Sequence, residues 1–178
     1  MKFELDFRVV LDGELIDVAT LPSNLDGCRD KLTDVSALLG AICVRLDGEE
    51  YGVEQRDPIV RLVDQWVRKI PWVLSGDTET VAYRNSEHCY AFVPAGESVE
   101  FSFFAGSENE VEDYVLEPTT VRLDLFANQS IRLAERLVEL IRKVDAGLLE
   151  SAEDCRELVS SLEEGRRAWR EHQLHNRR

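Results

Sequence analysis

The side chains best suited to chemistry in this sequence are carboxylates, and they concentrate in one stretch. No lysine or arginine occurs between Arg84 and Arg122, although the stretch carries eight acidic residues: Glu87, Glu97, Glu100, Glu108, Glu110, Glu112, Asp113 and Glu117. Carboxylates without neighbouring cations can ligate a hard metal ion or attract a basic macromolecule. Residues 108–113 lack the glycine turn of a calcium loop, so we expect no metal there.

Aromatic residues are interleaved with these acids, at Tyr90, Phe92, Phe101, Phe103, Phe104 and Tyr114. Strand alternation places one set of aromatics in the core and allows others to stand among the acids. Acids for steering and aromatics for anchoring predict a binding face for a basic partner. Its candidate residues are Glu97, Glu100, Glu108, Glu110, Glu112 and Asp113. The alternative is that the acids only solubilise the chain and the aromatics all belong to the core.

Histidine and cysteine give little support for catalysis. His88 and Cys89 are neighbours on a predicted strand and point to opposite faces, which argues against a nucleophile–base pair. His172 and His175 lie in an arginine-rich tail, where we expect solvated side chains. Dinucleotide, phosphate-loop, hydrolase and zinc-protease motifs do not occur, so we expect no catalytic residue, cofactor or metal. An unfamiliar enzyme would instead require a deep pocket lined by several of Tyr83, Glu87, His88 and Tyr90.

Composition narrows the classes of partner. The 178 residues carry a net charge of −14, and five arginines from Arg166 onward make the rest of the chain more acidic still. Such a field repels nucleic acid and anionic lipid, so we expect the body to bind neither. The longest apolar run, residues 37–44, is too short to span a membrane. The four cysteines form no C-x-x-C pair, and acids interrupt any leader-like start, which predicts free thiols in the cytoplasm.

The first half of the chain predicts two hairpins and a helix. Phe3–Leu11 alternates as a strand, Asp12-Gly13 is a turn, and residues 15–18 return as a second strand. Residues 43–53 resemble residues 8–18, which indicates either a duplicated unit or, as we favour, two hairpins with the same turn chemistry. A short helix from Leu32 is expected to run into a strand.

A second predicted helix begins with Asp57 as N-cap and Pro58 at its first position. Pro71 is expected to end this helix. Apolar residues occupy one face, and the opposite face is expected to lie in water with four charged residues: Arg61, Asp64, Arg68 and Lys69.

The second half predicts a meander followed by two helices. The expected strands are Glu79–Tyr83, Cys89–Val93, Val99–Phe103, Asp113–Leu116 and Val121–Phe126, although a helix from Thr119 or Thr120 would also fit the last segment. One helix begins at Ser130 and ends at Gly147. Another begins at Ser151, where Ser151-x-x-Asp154 is similar to a capping box, and frays from about Glu171.

Together these elements predict an α+β fold: an antiparallel sheet of seven to nine strands built from hairpins and a meander, one central helix, and a C-terminal αα-hairpin. We expect one domain, with a body over residues 1–147 and a C-terminal helix with a basic tail over residues 148–178.

The favoured function is a non-enzymatic interaction domain that masks a basic partner. An excess of arginine over lysine favours a bacterial source. In general make-up the chain resembles the small acidic immunity proteins that neutralise toxins, which implies an inhibitor role but no particular site residues. The alternative is a homodimer or scaffold formed through residues 130–170, in which Leu133 and Leu140 lie off the main apolar stripe and contact another chain.

Overall fold

The computed structural model describes residues 2–20 and 38–176, which form an α+β fold of two antiparallel sheets and five helices. The strands are β1 Phe3–Leu11, β2 Glu14–Asp17, β3 Leu39–Leu46, β4 Glu49–Tyr51, β5 Asp57–Pro58, β6 Glu79–Ala82, β7 His88–Ala95, β8 Ser98–Ser107 and β9 Glu110–Arg122. The helices are α1 Ile59–Arg68, α2 Ile70–Ser75, α3 Leu123–Asp145, α4 Leu148–Ser151 and α5 Glu153–His175. The predicted fold class is confirmed, with the strands divided between two sheets.

The first sheet has the order β2-β1-β3-β4, with β5 paired to β3. Both predicted hairpins are confirmed. Asp12 and Gly13 turn with φ of 52° and 84°, and Asp47 and Gly48 with 49° and 102°. Two consecutive positive φ angles define the type I′ turn that suits twisted strands. The shared turn is sufficient to explain the similarity between residues 8–18 and 43–53. Cys28 and the start of the helix predicted from Leu32 lie outside the described residues.

Helix α3 closes an edge of β1 that β2 is too short to cover. Strand β2 pairs only with Arg8–Leu11, which leaves the backbone groups of Leu5 facing the helix. The Leu5 N–H donates to the Gln129 side chain at 3.3 Å, and Arg136 donates to the Leu5 carbonyl. Side chains of α3 thereby satisfy the polar groups that an open strand edge would expose.

The second sheet is a meander in the order β6-β7-β8-β9. The first three predicted strands of this region are confirmed. The predicted strand Asp113–Leu116 is confirmed as part of the longer strand β9. The predicted strand Val121–Phe126 is wrong beyond Arg122, because helix α3 begins at Leu123, close to the alternative helix start at Thr119 or Thr120.

Trp66 of α1 joins the layers in one hydrophobic core. Its ring lies 4.7 Å from Tyr90 and 4.8 Å from Phe92 on the second sheet. The indole N–H donates to the Ser130 hydroxyl at 2.9 Å, so α3 satisfies the buried polar group of this side chain. Phe3 of β1 contacts Phe101 of β8, which connects the two sheets directly.

The prediction for the central helix is wrong in three respects: where it begins, where it ends, and the exposure of Asp64. Pro58, not Asp57, occupies the N-cap of α1. The helix ends at Arg68, and Pro71 lies in the first turn of α2. Asp64, expected in water, is buried against α5, where it accepts hydrogen bonds from Ser161 at 2.6 Å and from Arg68 at 2.7 Å.

The C-terminal helical hairpin is confirmed, with α5 packed against α3 and α1. Leu133 and Leu140 are 0% and 5% exposed, so the prediction that they are free to contact another chain is wrong. Both take part in the core because α3 is covered by β1 on one side and α5 on the other.

The start and end of the last helix also differ from the predicted ones. Ala152 is the N-cap of α5, and Ser151 donates to the Gly147 carbonyl instead of capping. The helix continues to His175, so fraying from Glu171 is wrong, while Arg177 and Arg178 lie outside the described residues.

Candidate partner-binding site

The β8–β9 hairpin determines how the acidic stretch is displayed. Strand β9 has 13 residues opposite the 10 residues of β8, and their pairing shifts register at three places. Each shift is a bulge that adds one residue to β9 and re-aims the following side chains. All side chains over residues 110–115 are exposed as a result.

Gly106 permits the sharpest of these bulges. Its φ is 133°, and a Cβ atom there would lie 2.1 Å from the Glu110 carbonyl oxygen. Only glycine combines this backbone conformation with so close an approach. The bend directs the turn at residues 108–109 and the start of β9 towards the loop between β6 and β7.

The six predicted partner-binding residues fall into two groups. Glu97 and Glu100 lie at the β7–β8 turn, and the other four, Glu108, Glu110, Glu112 and Asp113, lie at the β8–β9 turn. Glu100 and Glu108 are eight positions apart along β8, or about 25 Å at the usual rise of a strand. The screening length at physiological salt is only about 8 Å, so the two groups act on a partner separately.

Glu87 lies next to the second group, although it is not one of the predicted partner-binding residues. Its carbonyl accepts a hydrogen bond from the Gly106 N–H at 2.8 Å, which ties the β6–β7 loop to β8. We call residues 107–115 together with Glu87 the hairpin end. The only sequence signal for including Glu87 was its place in the stretch without cations, since its proximity depends on the register of β7 with β8.

The carboxylates of this region are not neutralised by other side chains. Within residues 2–20 and 38–176, none of the eight acids between Arg84 and Arg122 makes a side-chain hydrogen bond or an ion pair. Acids of the first sheet behave differently. Glu50 pairs with both Arg8 and Arg45, and Asp6 lies 3.7 Å from Arg136.

Apolar side chains accompany these acids at the hairpin end. Val111 and Tyr114 are 43% and 42% exposed, and Val115 is exposed to the same degree. Tyr114 packs edge-on against Phe104 beneath it, at a ring distance of 6.2 Å. The other aromatics of the stretch, Tyr90, Phe92, Phe101 and Phe103, are buried in the core. Tyr114 is therefore the aromatic residue that stands among the acids.

An open pocket of about 370 Å³ lies between the β6–β7 loop and the hairpin end. Its lining includes three of the four residues named for a possible enzyme, Tyr83, Glu87 and His88, while Tyr90 lies in the core. Acidic residues from the hairpin form the facing wall: Glu108, Glu110 and Glu112.

Asp57 holds the loop that forms the first wall. Its buried carboxylate accepts hydrogen bonds from the backbone N–H groups of Arg84 at 3.0 Å and Asn85 at 2.8 Å. Burial raises the pKa of this carboxyl, against the lowering effect of those two donors. The residue expected to cap a helix instead fixes a loop 27 positions away.

The pocket does not contain a nucleophile–base pair among the described side chains. The His88 ring packs near Phe103 and its Nδ1 contacts the Ser86 hydroxyl at 3.1 Å. The Cys89 thiol donates to the Gly106 carbonyl at 3.6 Å. Burial, and secondarily Glu108, raises the pKa of this thiol, which disfavours the reactive thiolate.

Other candidate ligands do not converge either. No group of three or more histidine, cysteine or acidic side chains able to hold a metal occurs in the part of the chain that the structure describes. His175 contacts the Glu171 carbonyl, and His172 contacts Asn176. None of the described helices is both long and apolar enough to cross a membrane.

The fold and the site were compared with known proteins. Searches of protein-family models, of curated proteins and of solved structures find no match for this chain. The site is therefore interpreted from its own geometry and charge.

Proposed function

We propose that the protein is a non-enzymatic interaction domain that binds and masks a basic protein, as an immunity protein or inhibitor does, and that the hairpin end is its binding surface. The observation that carries this proposal is the set of unpaired carboxylates at Glu87, Glu108, Glu110, Glu112 and Asp113. Carboxylates already paired within a protein offer little to a partner. Unpaired ones accept its lysine and arginine side chains and raise the rate of encounter.

The exposed apolar residues supply the packed contacts that charge alone does not provide. Interfaces depend on a few well-packed anchors, and tyrosine is among the side chains most enriched at such positions. Tyr114 is half exposed and supported from below by Phe104. Val111 and Val115 are further exposed apolar side chains of the hairpin end.

Recognition by side chains fits this surface better than addition of a partner strand. Strand β9 is an edge of the second sheet, and an open edge can pair with an extended peptide. Three bulges interrupt its ladder, Pro118 lacks an N–H donor, and acids line it. These are the devices that protect sheet edges from strand addition.

The proposal is tested by affinity capture from a lysate of the source organism with two variants of equal composition. The test variant carries E108Q, E110Q, E112Q and D113N. The control carries E14Q, E49Q, E54Q and D77N, which removes the same charge from exposed positions outside the hairpin end. Capture at low and moderate salt is followed by identification of the retained proteins.

We expect the parent and the control to retain a basic protein whose capture weakens with salt, and the test variant to lose it. Recovery of the same proteins in the same amounts by the parent and the test variant at both salt concentrations would refute the proposal.

A further inference from the structure

We propose that the pocket between the β6–β7 loop and the hairpin end receives one arginine side chain of the basic partner. This inference rests on the proposed function and deepens it by naming the group that is recognised. The size of the pocket supports a single side chain. Its volume of about 370 Å³ is at the lower end of the range for small-molecule sites.

The lining offers several acceptors for the donors of a guanidinium. Carboxylates come from both walls, with Glu87 on the loop and Glu108, Glu110 and Glu112 on the hairpin. The hydroxyls of Ser86 and Ser107 also line the pocket, and neither arginine nor lysine does. A guanidinium offers five N–H donors in a planar fork, so it can reach acceptors on two walls at once. An ammonium is a compact charge and uses such a spread of acceptors less well.

Both walls are fixed in place without a ligand. Asp57 holds the backbone at Arg84 and Asn85, and the Gly106 N–H holds the Glu87 carbonyl. On the opposite side, the bulge at Gly106 sets the direction of the strand that carries Glu110 and Glu112. A preformed pocket avoids much of the ordering cost of binding, so one buried cationic side chain can act as an anchor.

The experiment is an NMR titration of the ¹⁵N-labelled full chain with three blocked tripeptides, Gly-X-Gly, in which X is arginine, lysine or citrulline. Citrulline keeps the shape of arginine without its charge. We expect arginine to shift amide signals at Glu87, His88, Gly106 and Glu110, while Glu97 and Glu100 stay unchanged. Lysine should bind about threefold or more weakly than arginine, and citrulline should not bind.

Two triple variants with equal charge separate the pocket from the general field of the protein. E87Q/E110Q/E112Q removes pocket carboxylates, and E97Q/E100Q/E117Q removes the same number from exposed positions elsewhere on the second sheet. We expect the first to weaken arginine binding about tenfold or more and the second by less than about twofold. The indole signal of Trp66 reports whether each variant keeps its core.

Equal losses in the two variants, absence of any shift, or equal affinity for arginine and lysine would each overturn the pocket assignment. None of these outcomes bears on capture of a basic protein by the hairpin end, so the proposed function would then stand or fall on its own test. Loss of capture specificity in that test, with the arginine titration still confined to the pocket, would refute the masking role and retain the guanidinium site.

Discussion

Glu50 on the first sheet and the acids between Arg84 and Arg122 on the second sheet have opposite surroundings. On the first sheet, Arg8 Nη2 donates to both carboxylate oxygens of Glu50 at 2.9 Å, and Arg45 Nε donates to one of them at 3.1 Å. On the second sheet, no cationic side chain lies between Arg84 and Arg122, and its eight acids are unpaired within the described residues. The Glu50 carboxylate contributes to the fold, whereas those at the hairpin end are left available for a partner. The same residue type thus has two roles, distinguished by its neighbours.

Substitution of Gly106 is expected to have the largest effect among changes confined to the hairpin end. We expect Gly106→Ala to destabilise the protein by about 2–4 kcal/mol, because the new Cβ would clash with the Glu110 carbonyl and the backbone has positive φ. Gly96→Ala at the other end of β8 is the control, since its φ is 64° and its Cβ would meet nothing within 4 Å. It should cost only about 1 kcal/mol. Urea unfolding measures both, and equal costs would show that the bulge is not a strict constraint.

The pH dependence of stability compares the buried carboxyls of Asp57 and Asp64 with the exposed carboxyls of the hairpin end. Burial raises the pKa values of Asp57 and Asp64 above 3.8, so between 3.8 and the raised values the folded state binds more protons than the unfolded state. Their contribution to stability is therefore fully present below pH 3.8 and is lost as the pH rises through those values. Melting temperature should rise as the pH is lowered from 7 through the raised values towards 3.8.

The double variant D57N/D64N isolates these two groups from the rest of the titration. An asparagine oxygen at position 57 can still accept both backbone N–H bonds, and one at position 64 can accept either the Ser161 or the Arg68 bond, so the variant should fold with one hydrogen bond lost. We expect its melting temperature to change less between pH 7 and pH 3.8 than that of the parent. An unchanged slope would assign the pH effect to relief of the net negative charge alone.

Single neutralising substitutions provide the smallest and most direct contrast between the sheets. Glu50→Gln leaves Arg8 and Arg45 without their shared carboxylate, and we expect a loss of about 1 kcal/mol. Glu110→Gln removes an unpaired exposed charge, so stability should hold within about 0.5 kcal/mol or rise. Chemical unfolding at low salt compares them. If Glu110→Gln is the more costly change, its carboxylate has a structural role.

The elements that the sequence predicts correctly are those whose pattern lies within a few adjacent residues. The Asp-Gly turns, the alternation of β1 and the helical periods of α3 and α5 each depend on a few adjacent residues, and all are found in the structure. Asp57 also carried a local signal, for an N-cap, but a loop distant in sequence takes its carboxylate instead. Local propensity gave way there to a tertiary contact that no single segment encodes.

The candidate site was only partly accessible from the sequence. The absence of cations between Arg84 and Arg122 indicates an acidic surface, but the sequence predicts two strands, Asp113–Leu116 and Val121–Phe126, where the structure has one. Bulges allow residues 110–122 to form one strand, and the length of β8 separates Glu97 and Glu100 from Glu108 and the acids after it. Bulges depend on the pairing of β8 with β9, so the split of the acidic stretch and the inclusion of Glu87 required the structure.

The central claim is that the unpaired carboxylates of the hairpin end, and not the net charge of the whole protein, attract the basic partner. The most direct test is the association rate of the captured partner as a function of ionic strength, for the parent, for E108Q/E110Q/E112Q/D113N, and for the control E14Q/E49Q/E54Q/D77N. We predict that the first variant lowers the rate by about tenfold at low salt and flattens its salt dependence, while the control stays within about twofold of the parent. Equal reductions in the two variants, or no reduction in either, would contradict the account.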